Sequence, residues 1–319
     1  MCNYDLLFVN SSHDKMPMNR KKILSILTAI GLFSAVFIWQ DVAPVLAKLS
    51  LAGWPLLFVC LFALPVFLGN SEAWRTLFPS GRRPPIFKAL WASSIGSAVN
   101  ALLPVDTIST MVVDKTVQAI VAALLGVVGV GLLAILLPND PRIRGIALAT
   151  LALIFGISGF IAVQLFGGFS IVARIADKAA KSDRFREFMT KASDLDVAIR
   201  LIYKKYGTLL FSCLIRLIIR LSLVGELMFA AHLMGQPIGL IEAFAIKILV
   251  GSARDAAFAI PGQLGVQEAT YIGLGVLFGY SADLMLAISL AVRIREILPS
   301  IPLLVVWQYI EVRNLESVK

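Results

Sequence analysis

The chain has 319 residues, of which 58% are hydrophobic and 15% charged, and its mean hydropathy is +0.85. Soluble proteins average roughly 45–50% apolar and about 25% charged residues, so a soluble fold could not bury this much apolar side chain. In so apolar a chain, a net charge of +9 is more typical of basic cytoplasmic loops than of a nucleic-acid binder. The three cysteines (Cys2, Cys60 and Cys213) are too few and too scattered for a disulfide scaffold or a metal site. We therefore predict an all-α, polytopic integral membrane bundle with about 6–8 transmembrane helices and re-entrant or broken half-helices.

The N-terminal segment resembles neither a signal peptide nor a folded element, and Met16 and Met18 are alternative candidate starts. We expect residues 1–19 to be poorly ordered and residues 20–319 to form a single transmembrane domain. The apolar run that follows the basic residues at 20–22 is long for a signal peptide, so we interpret it as a retained anchor.

A helix needs about 20 mostly apolar residues to cross the hydrocarbon core. The best candidate spans are residues 23–40, 51–69, 117–137, 145–167, 207–234 and 297–310. The apolar stretch 270–292 is interrupted around Gly279 and Tyr280, and Ser281 there is a suitable N-cap with Asp283 in the first turn. One span and two half-length helices both fit this stretch.

The basic residues predict how the chain is oriented. If residues 89–103 only dip into the membrane, most Lys and Arg residues fall on one side, and Lys48, Arg142 and Arg144 are left on the other. Because cytoplasmic loops are rich in Lys and Arg, we predict a cytoplasmic N-terminus and a re-entrant hairpin or tilted half-helix at residues 89–103. The basic segment 170–206 fits either a solvated loop with interfacial helices or a platform for anionic lipid headgroups.

Two arginines lie inside a predicted span, where a charge costs roughly 2.5–3.5 kcal/mol. Arg216 and Arg220 are four residues apart, so they share one face of the helix, whereas Glu226 points elsewhere. The arginines therefore need partners from other helices. They could form ion pairs that fix helix packing, or they could line an anion-binding cavity.

A second polar cluster surrounds a Pro-Gly break and comprises Arg254, Asp255, Pro261, Gly262, Gln267 and Glu268. Proline removes a helical donor and glycine permits unusual dihedrals, so the backbone must bend here and free some of its polar groups. Such a bend must face protein or water, as broken helices do in transporters. A purely structural hinge is the alternative.

Weaker candidates lie at the predicted ends of spans. Asp114, Lys115 and Gln118 are secondary site candidates, although a cap at the membrane edge explains them equally well. We interpret the charged residues at 293–296 as an interfacial anchor before the last span. The glycines at 126, 129 and 131, with Gly275 and Gly279, are interpreted as small-residue faces for close helix packing.

The sequence contains none of the common signatures of catalysis or cofactor binding. His13 and His232 do not lie with other ligands at metal-binding spacing, and no nucleophile elbow, P-loop or dinucleotide fingerprint occurs. We therefore predict no metal, no cofactor and no catalytic residue.

Several motifs resemble a known family. The run 253–268 (ARDAAFAIPGQLGVQE), followed by 275–279 and 293–296, resembles HpnL-type hopanoid-biosynthesis-associated membrane proteins, within the flippase-like group similar to the transmembrane region of lysylphosphatidylglycerol synthase. Leu-Leu-Pro at 102–104 and Val-Val-Asp-Lys-Thr at 112–116, with Gln118, resemble its N-terminal signature. The resemblance covers most of the chain from about residue 23. Relatives have a longer connection with paired glycines and basic residues where this chain has only residues 105–111.

The resemblance implies a role in handling membrane lipids in a bacterial inner membrane. The expected function is translocation of a hopanoid, an aminoacylated lipid or a polyprenyl lipid through an intramembrane polar cavity, with a membrane lipid as the partner and no nucleic acid. One alternative is a non-catalytic membrane partner of lipid-biosynthesis enzymes. A more remote alternative is an intramembrane lipid-modifying enzyme with Asp255 or Glu268 as acid or base.

Overall fold

The computed structural model describes residues 47, 49–79, 81, 83–95, 105–168, 170–171, 183–257, 263 and 265–299. Helices joined by turns account for this part of the chain, and no strand occurs in it. The predicted span 23–40, nearly all of the predicted span 297–310, and Pro261 and Gly262 lie outside the described residues.

After the helical residues 47 and 49–52, a 3-10 helix, Trp54–Phe62, leads directly into α1. The α-helices that follow are α1 (Ala63–Arg75), α2 (Ile86–Ile95), α3 (Val105–Leu136), α4 (Arg142–Leu165), α5 (Asp183–Tyr203), α6 (Tyr206–Leu233), α7 (Leu240–Ala256), α8 (Val266–Leu277) and α9 (Ala282–Ile297).

Four segments of the described chain are long and apolar enough to cross a membrane: Trp54–Arg75, Ser109–Leu136, Arg142–Leu165 and Tyr206–Leu233. They correspond to the predicted spans 51–69, 117–137, 145–167 and 207–234. The chain is thus an all-α, multi-pass membrane protein, as predicted.

The C-terminal part of the bundle is built from shorter helices. At about 1.5 Å per residue, the 17 residues of α7, 12 of α8 and 16 of α9 extend about 25, 18 and 24 Å. Each is shorter than the hydrocarbon core of about 30 Å, so none of them crosses it alone, and the buried Arg295 places the last turn of α9 inside the bundle. Ser281 caps α9 by accepting a hydrogen bond from the Leu284 amide at 3.3 Å, which confirms two half-length helices instead of one span.

Residues 89–103 are described only in part. The helix α2 has 10 residues and is about 15 Å long, so it is too short to span the membrane. It packs against α1, and this agrees with the predicted half-helix; residues 96–104 lie outside the described residues.

Helix α3 lies at the centre of the described bundle, where it packs against α1, α4, α5, α6 and α7. Its tightest contact is with α7: the Ser252 hydroxyl donates to the Ala122 carbonyl at 2.7 Å, and a β-carbon at Gly129 would lie 2.7 Å from Leu249 Cγ. The glycine prediction is confirmed at positions 126, 129 and 275, where a β-carbon would crowd Ser252, Leu249 or Met285.

The same prediction is wrong for Gly131 and Gly279. A β-carbon on either would meet no described atom within 4 Å. Gly279 has a φ of +83°, so its role is to turn the chain between α8 and α9 in a conformation that favours glycine.

Candidate functional site

Arg216 on α6 finds its carboxylate on α3. Its guanidinium contacts Asp114 and also donates to the Asn70 side-chain oxygen on α1 at 3.0 Å. The Arg216 and Asp114 side chains are only 5% and 11% exposed, and Gln118 donates to Asp114 at 3.1 Å. The prediction that the arginines take partners from other helices is therefore confirmed.

The membrane-edge interpretation of Asp114 is wrong. Helix α3 starts at Val105, well before residue 114, so Asp114 lies inside the helix and is buried. The short connection from 105 to 111 is itself part of α3. Lys115 is exposed and donates to Gln118 at 3.3 Å, so it extends this cluster toward the surface.

Arg220, one turn further along α6, pairs with Asp255 near the end of α7. Gly251 makes this contact possible, because a β-carbon at that position would collide with the Arg220 guanidinium. The two side chains are 23% and 28% exposed, which leaves this pair more accessible than the Arg216 pair.

Arg254 reaches across to the far end of α9. Its guanidinium contacts Glu296 at 2.6 Å and the Gln263 side-chain oxygen at 3.3 Å. The Arg254 and Glu296 side chains are 24% and 26% exposed. This pair therefore joins the end of α7 to the end of α9 beside the interruption between α7 and α8.

Glu268 and Gln267, on the first turn of α8, are fully buried against α9. Glu268 accepts from the Gly265 amide at 2.8 Å, which caps α8, and pairs with Arg293 at 3.0 Å. The Gln267 amide donates to the Ser289 hydroxyl at 2.9 Å. Of the predicted polar residues around the break, Gln267 and Glu268 thus face protein, whereas Arg254 and Asp255 remain partly exposed.

Three buried charges form a cluster that sequence reasoning did not identify. Glu226 contacts Lys247 at 2.7 Å on one side and Arg295 at 2.5 Å on the other. Lys247 also donates to the Tyr271 hydroxyl at 3.0 Å. A lone lysine in the apolar run of α7 was the available signal, since an unpaired cation there would be costly.

The interpretation of residues 293–296 as an interfacial anchor is wrong. Arg293 binds Glu268, Arg295 binds Glu226 with a side chain only 5% exposed, and Glu296 binds Arg254. Because α9 ends inside the bundle, its last turn can place these charges against α6, α7 and α8. Arg295 also lies 3.3 Å from Glu296, so it links the Glu226 cluster to the Arg254 pair.

These contacts form one network across α6, α7, α8 and α9. In the described part of the network, three carboxylates are shared by four cations, namely Lys247, Arg254, Arg293 and Arg295. Such sharing suits the recognition of an anion more than acid–base chemistry, which would need a nucleophile or base aimed at open space. No group of His, Cys, Asp and Glu in the described residues could hold a metal.

An exposed ion pair outside this network, between Arg142 and Asp140, can be compared with the buried pairs. Arg142, at the start of α4, donates to Asp140 at 2.6 Å, and its side chain is 59% exposed. Hydrogen bonds from the Arg142 side chain and backbone hold the pKa of the Asp140 carboxyl below its usual value.

Comparison with known proteins agrees with this architecture. Residues 23–302 match the family model described as the lysylphosphatidylglycerol synthase transmembrane region. A search of curated proteins and a search of solved structures each gave no match. Since the family model covers most of the chain, the protein belongs to the lysylphosphatidylglycerol synthase transmembrane-region family, whose members are membrane proteins of lipid-related processes.

Proposed function

We propose that this protein translocates an anionic membrane lipid, and that the lipid headgroup is drawn into the bundle by the network of α6 to α9. The proposal includes a bacterial inner membrane with the N-terminus in the cytoplasm. Among the expected cargo classes it favours a phosphate-bearing aminoacylated or polyprenyl lipid over a hopanoid, because the network would bind the phosphate of the headgroup. Transport without chemical modification of the lipid is part of the same proposal.

One observation supports the proposal above the others. The Arg254–Glu296 and Arg220–Asp255 pairs lie where α7 ends inside the bundle, yet each side chain remains about a quarter exposed. A charge that is inside the bundle and still accessible can bind a headgroup without first unfolding a helix. Arginine is suited to this task because its planar guanidinium binds phosphate through two parallel hydrogen bonds.

Arg254 is the better of these residues to test. Substitution of Glu268 would also remove the cap of α8, so lost activity could not be separated from lost structure. Removal of the Arg254 charge leaves Glu296 with Arg295 at 3.3 Å, so no carboxylate is left alone. The variant Arg254→Gln should therefore fold.

The experiment uses the full chain in phosphatidylcholine vesicles that contain a trace of fluorescent phosphatidylglycerol. Chemical quenching of the outer leaflet reports how fast labelled lipid crosses the membrane. We expect Arg254→Gln to slow transport about tenfold, which is the loss expected when one charge-assisted contact to the headgroup is removed.

The matched control is Arg142→Gln, which makes the same change in charge at the surface pair with Asp140. This control should transport as fast as the wild-type protein. Equal rates for all three proteins would exclude the α7–α9 network as the headgroup route. Absence of lipid movement in wild-type vesicles would overturn the transport proposal.

A second candidate function, a non-catalytic partner of lipid-biosynthesis enzymes, is favoured by α4. None of its most apolar window is buried within the described bundle, and Leu148, Leu151 and Phe155 are more than half exposed. Such a surface can contact lipid or another membrane helix. Cross-linking from α4 to a biosynthetic enzyme, together with absent lipid transport, would favour this candidate.

A further inference from the structure

We propose that Lys247 and Arg295 form a second, inner binding site for the phosphate of an anionic lipid, in which the phosphate takes one of these two cations from Glu226 while Glu226 keeps the other. This inference rests on the proposed transport function and adds to it a specific step along the route. It also gives a role to these three buried charges of the described bundle.

The contacts of Glu226 lead to this conclusion. Its carboxylate is fully buried and lies between two cations, with Lys247 at 2.7 Å and Arg295 at 2.5 Å. An ion pair that only fixed helix packing would need one cation for each carboxylate. One carboxylate between two cations instead leaves a site that a lipid phosphate can enter, because its two non-bridging oxygens can accept hydrogen bonds from a cation as a carboxylate does.

The inner site is continuous with the accessible pairs. Lys247 precedes Arg254 by seven residues on α7, so their backbones are about 10 Å apart along the helix axis. Arg295 contacts both Glu226 and Glu296, and Glu296 is the partner of Arg254. A headgroup held by Arg254 can therefore pass to Arg295 and then to Lys247 by exchanging partners.

An apolar groove beside the inner site has room for lipid chains. The groove has a volume of about 550 Å³ and is lined by Phe58, Leu61, Phe62, Pro65 and Phe229. Phe229 lies three residues after Glu226 on α6, and its ring packs 6.4 Å from that of Phe62. The proposed headgroup site at Glu226 and the proposed chain site at Phe229 thus lie within one turn of each other on α6.

The 3-10 helix forms the wall between the groove and the cluster, since it packs against both α6 and α9. A 3-10 helix of 9 residues is unusual, because longer runs have poorer hydrogen-bond geometry. Pro65 contributes to it, since proline has no amide hydrogen to donate to the carbonyl four residues earlier, at Leu61.

The test measures binding of fluorescent phosphatidylglycerol to the purified full chain in dodecyl maltoside. Glu226→Gln removes the competing charge but keeps the side-chain shape, so we expect about tenfold tighter binding. Lys247→Gln should bind about tenfold more weakly than the wild type. Fluorescent diacylglycerol, which has no phosphate, should bind equally to all three proteins.

Stability supplies a second measurement, because Glu226→Gln leaves two buried cations without their carboxylate. If this variant aggregates, added phosphatidylglycerol should restore a monodisperse protein and diacylglycerol, which has no phosphate, should not. Failure of phosphatidylglycerol to rescue it, or unchanged affinity in a folded variant, would overturn the inference. The shorter Glu226→Asp variant, which keeps the charge, should show an intermediate gain in affinity, and no gain there would also count against it.

The two proposals can fail separately. If wild-type vesicles translocate lipid but Glu226→Gln binds it no more tightly, only the inner site is wrong. If Glu226→Gln binds more tightly but no lipid crosses the membrane, the inner site stands as a binding site and the transport function is wrong.

Discussion

The bundle contains two kinds of buried ion pair on the same helix. Near the start of α6, Arg216 is matched with the single carboxylate of Asp114, and Asn70 and Gln118 complete the hydrogen bonds around the pair. Further along α6, Glu226 is shared by Lys247 and Arg295. The first arrangement is suited to holding α1, α3 and α6 together, and the second to exchanging partners.

This comparison separates two roles that the sequence left open for the intramembrane arginines. A buried one-to-one pair such as Arg216–Asp114 gains nothing from an incoming anion, since the anion would leave the displaced carboxylate buried alone, whereas Asp255 of the partly exposed Arg220 pair can still reach solvent. A shared carboxylate can keep one cation when an anion takes the other. We therefore assign Arg216 to helix packing and the α7–α9 cations to ligand binding, and the predictions below test that division.

The largest expected effect is at Asp114. The variant Asp114→Asn leaves Arg216 buried without its carboxylate, which should destabilise the protein by about 3–5 kcal/mol. Thermal or denaturant unfolding of the purified protein in detergent measures this loss. The double variant Asp114→Leu with Arg216→Met removes both charges and should recover most of the stability, because paired buried charges can be replaced by apolar side chains.

Lipid transport by the double variant tests the role directly. If the pair only fixes helix packing, the refolded double variant should transport at a rate close to that of the wild type. A stable double variant with no transport would place Arg216 in the headgroup route and would break the comparison.

Much of the fold was predictable because apolar periodicity and helix caps act locally. Ser281 at a Gly-Tyr interruption indicated the start of α9 as one of two alternatives, and the spacing of Arg216 and Arg220 was enough to predict partners on other helices. The identity of each partner was not predictable. Arg295 and Glu226 meet only because α9 stops inside the bundle, and no local pattern reports that depth.

Lys247 was not identified as a site residue from the sequence, and the reason is again physical. It lies in the apolar run of α7, where one charge among aliphatic residues changes the hydropathy little, although its cost in lipid is high. Glu226 was recognised as pointing away from the arginines, but its distance from Lys247 depends on how α6 and α7 turn toward each other. Tertiary packing, and not sequence spacing, decided which charges became neighbours.

An intermediate effect is expected at Gly251, which lies against the accessible Arg220–Asp255 pair. In Gly251→Ala the new methyl group must push the Arg220 guanidinium off Asp255 without changing any charge. We expect a loss of about 1–3 kcal/mol of stability from overpacking, and slower transport in the vesicle assay.

Gly131→Ala is the matched control, since a β-carbon there meets no described atom within 4 Å. Alanine is favoured over glycine in a helix, so this variant should be neutral or up to about 1 kcal/mol more stable. If Gly251→Ala transports lipid as fast as Gly131→Ala, the Arg220 pair serves only to pack helices, as the Arg216 pair does.

The smallest effect is expected at Ser281, which supports the ligand-binding region without contacting it. Ser281→Ala removes the N-cap of α9 and should cost about 1 kcal/mol, whereas Ser281→Asp restores an acceptor and should recover that loss. Arg293 lies about 18 Å further along α9, so the transport rate of folded Ser281→Ala should match that of the wild type. If transport by Ser281→Ala falls by more than the amount of folded protein does, the whole of α9 moves during transport. The charged residues at the end of α9 would then change position as the lipid passes, and would not be a fixed part of the network.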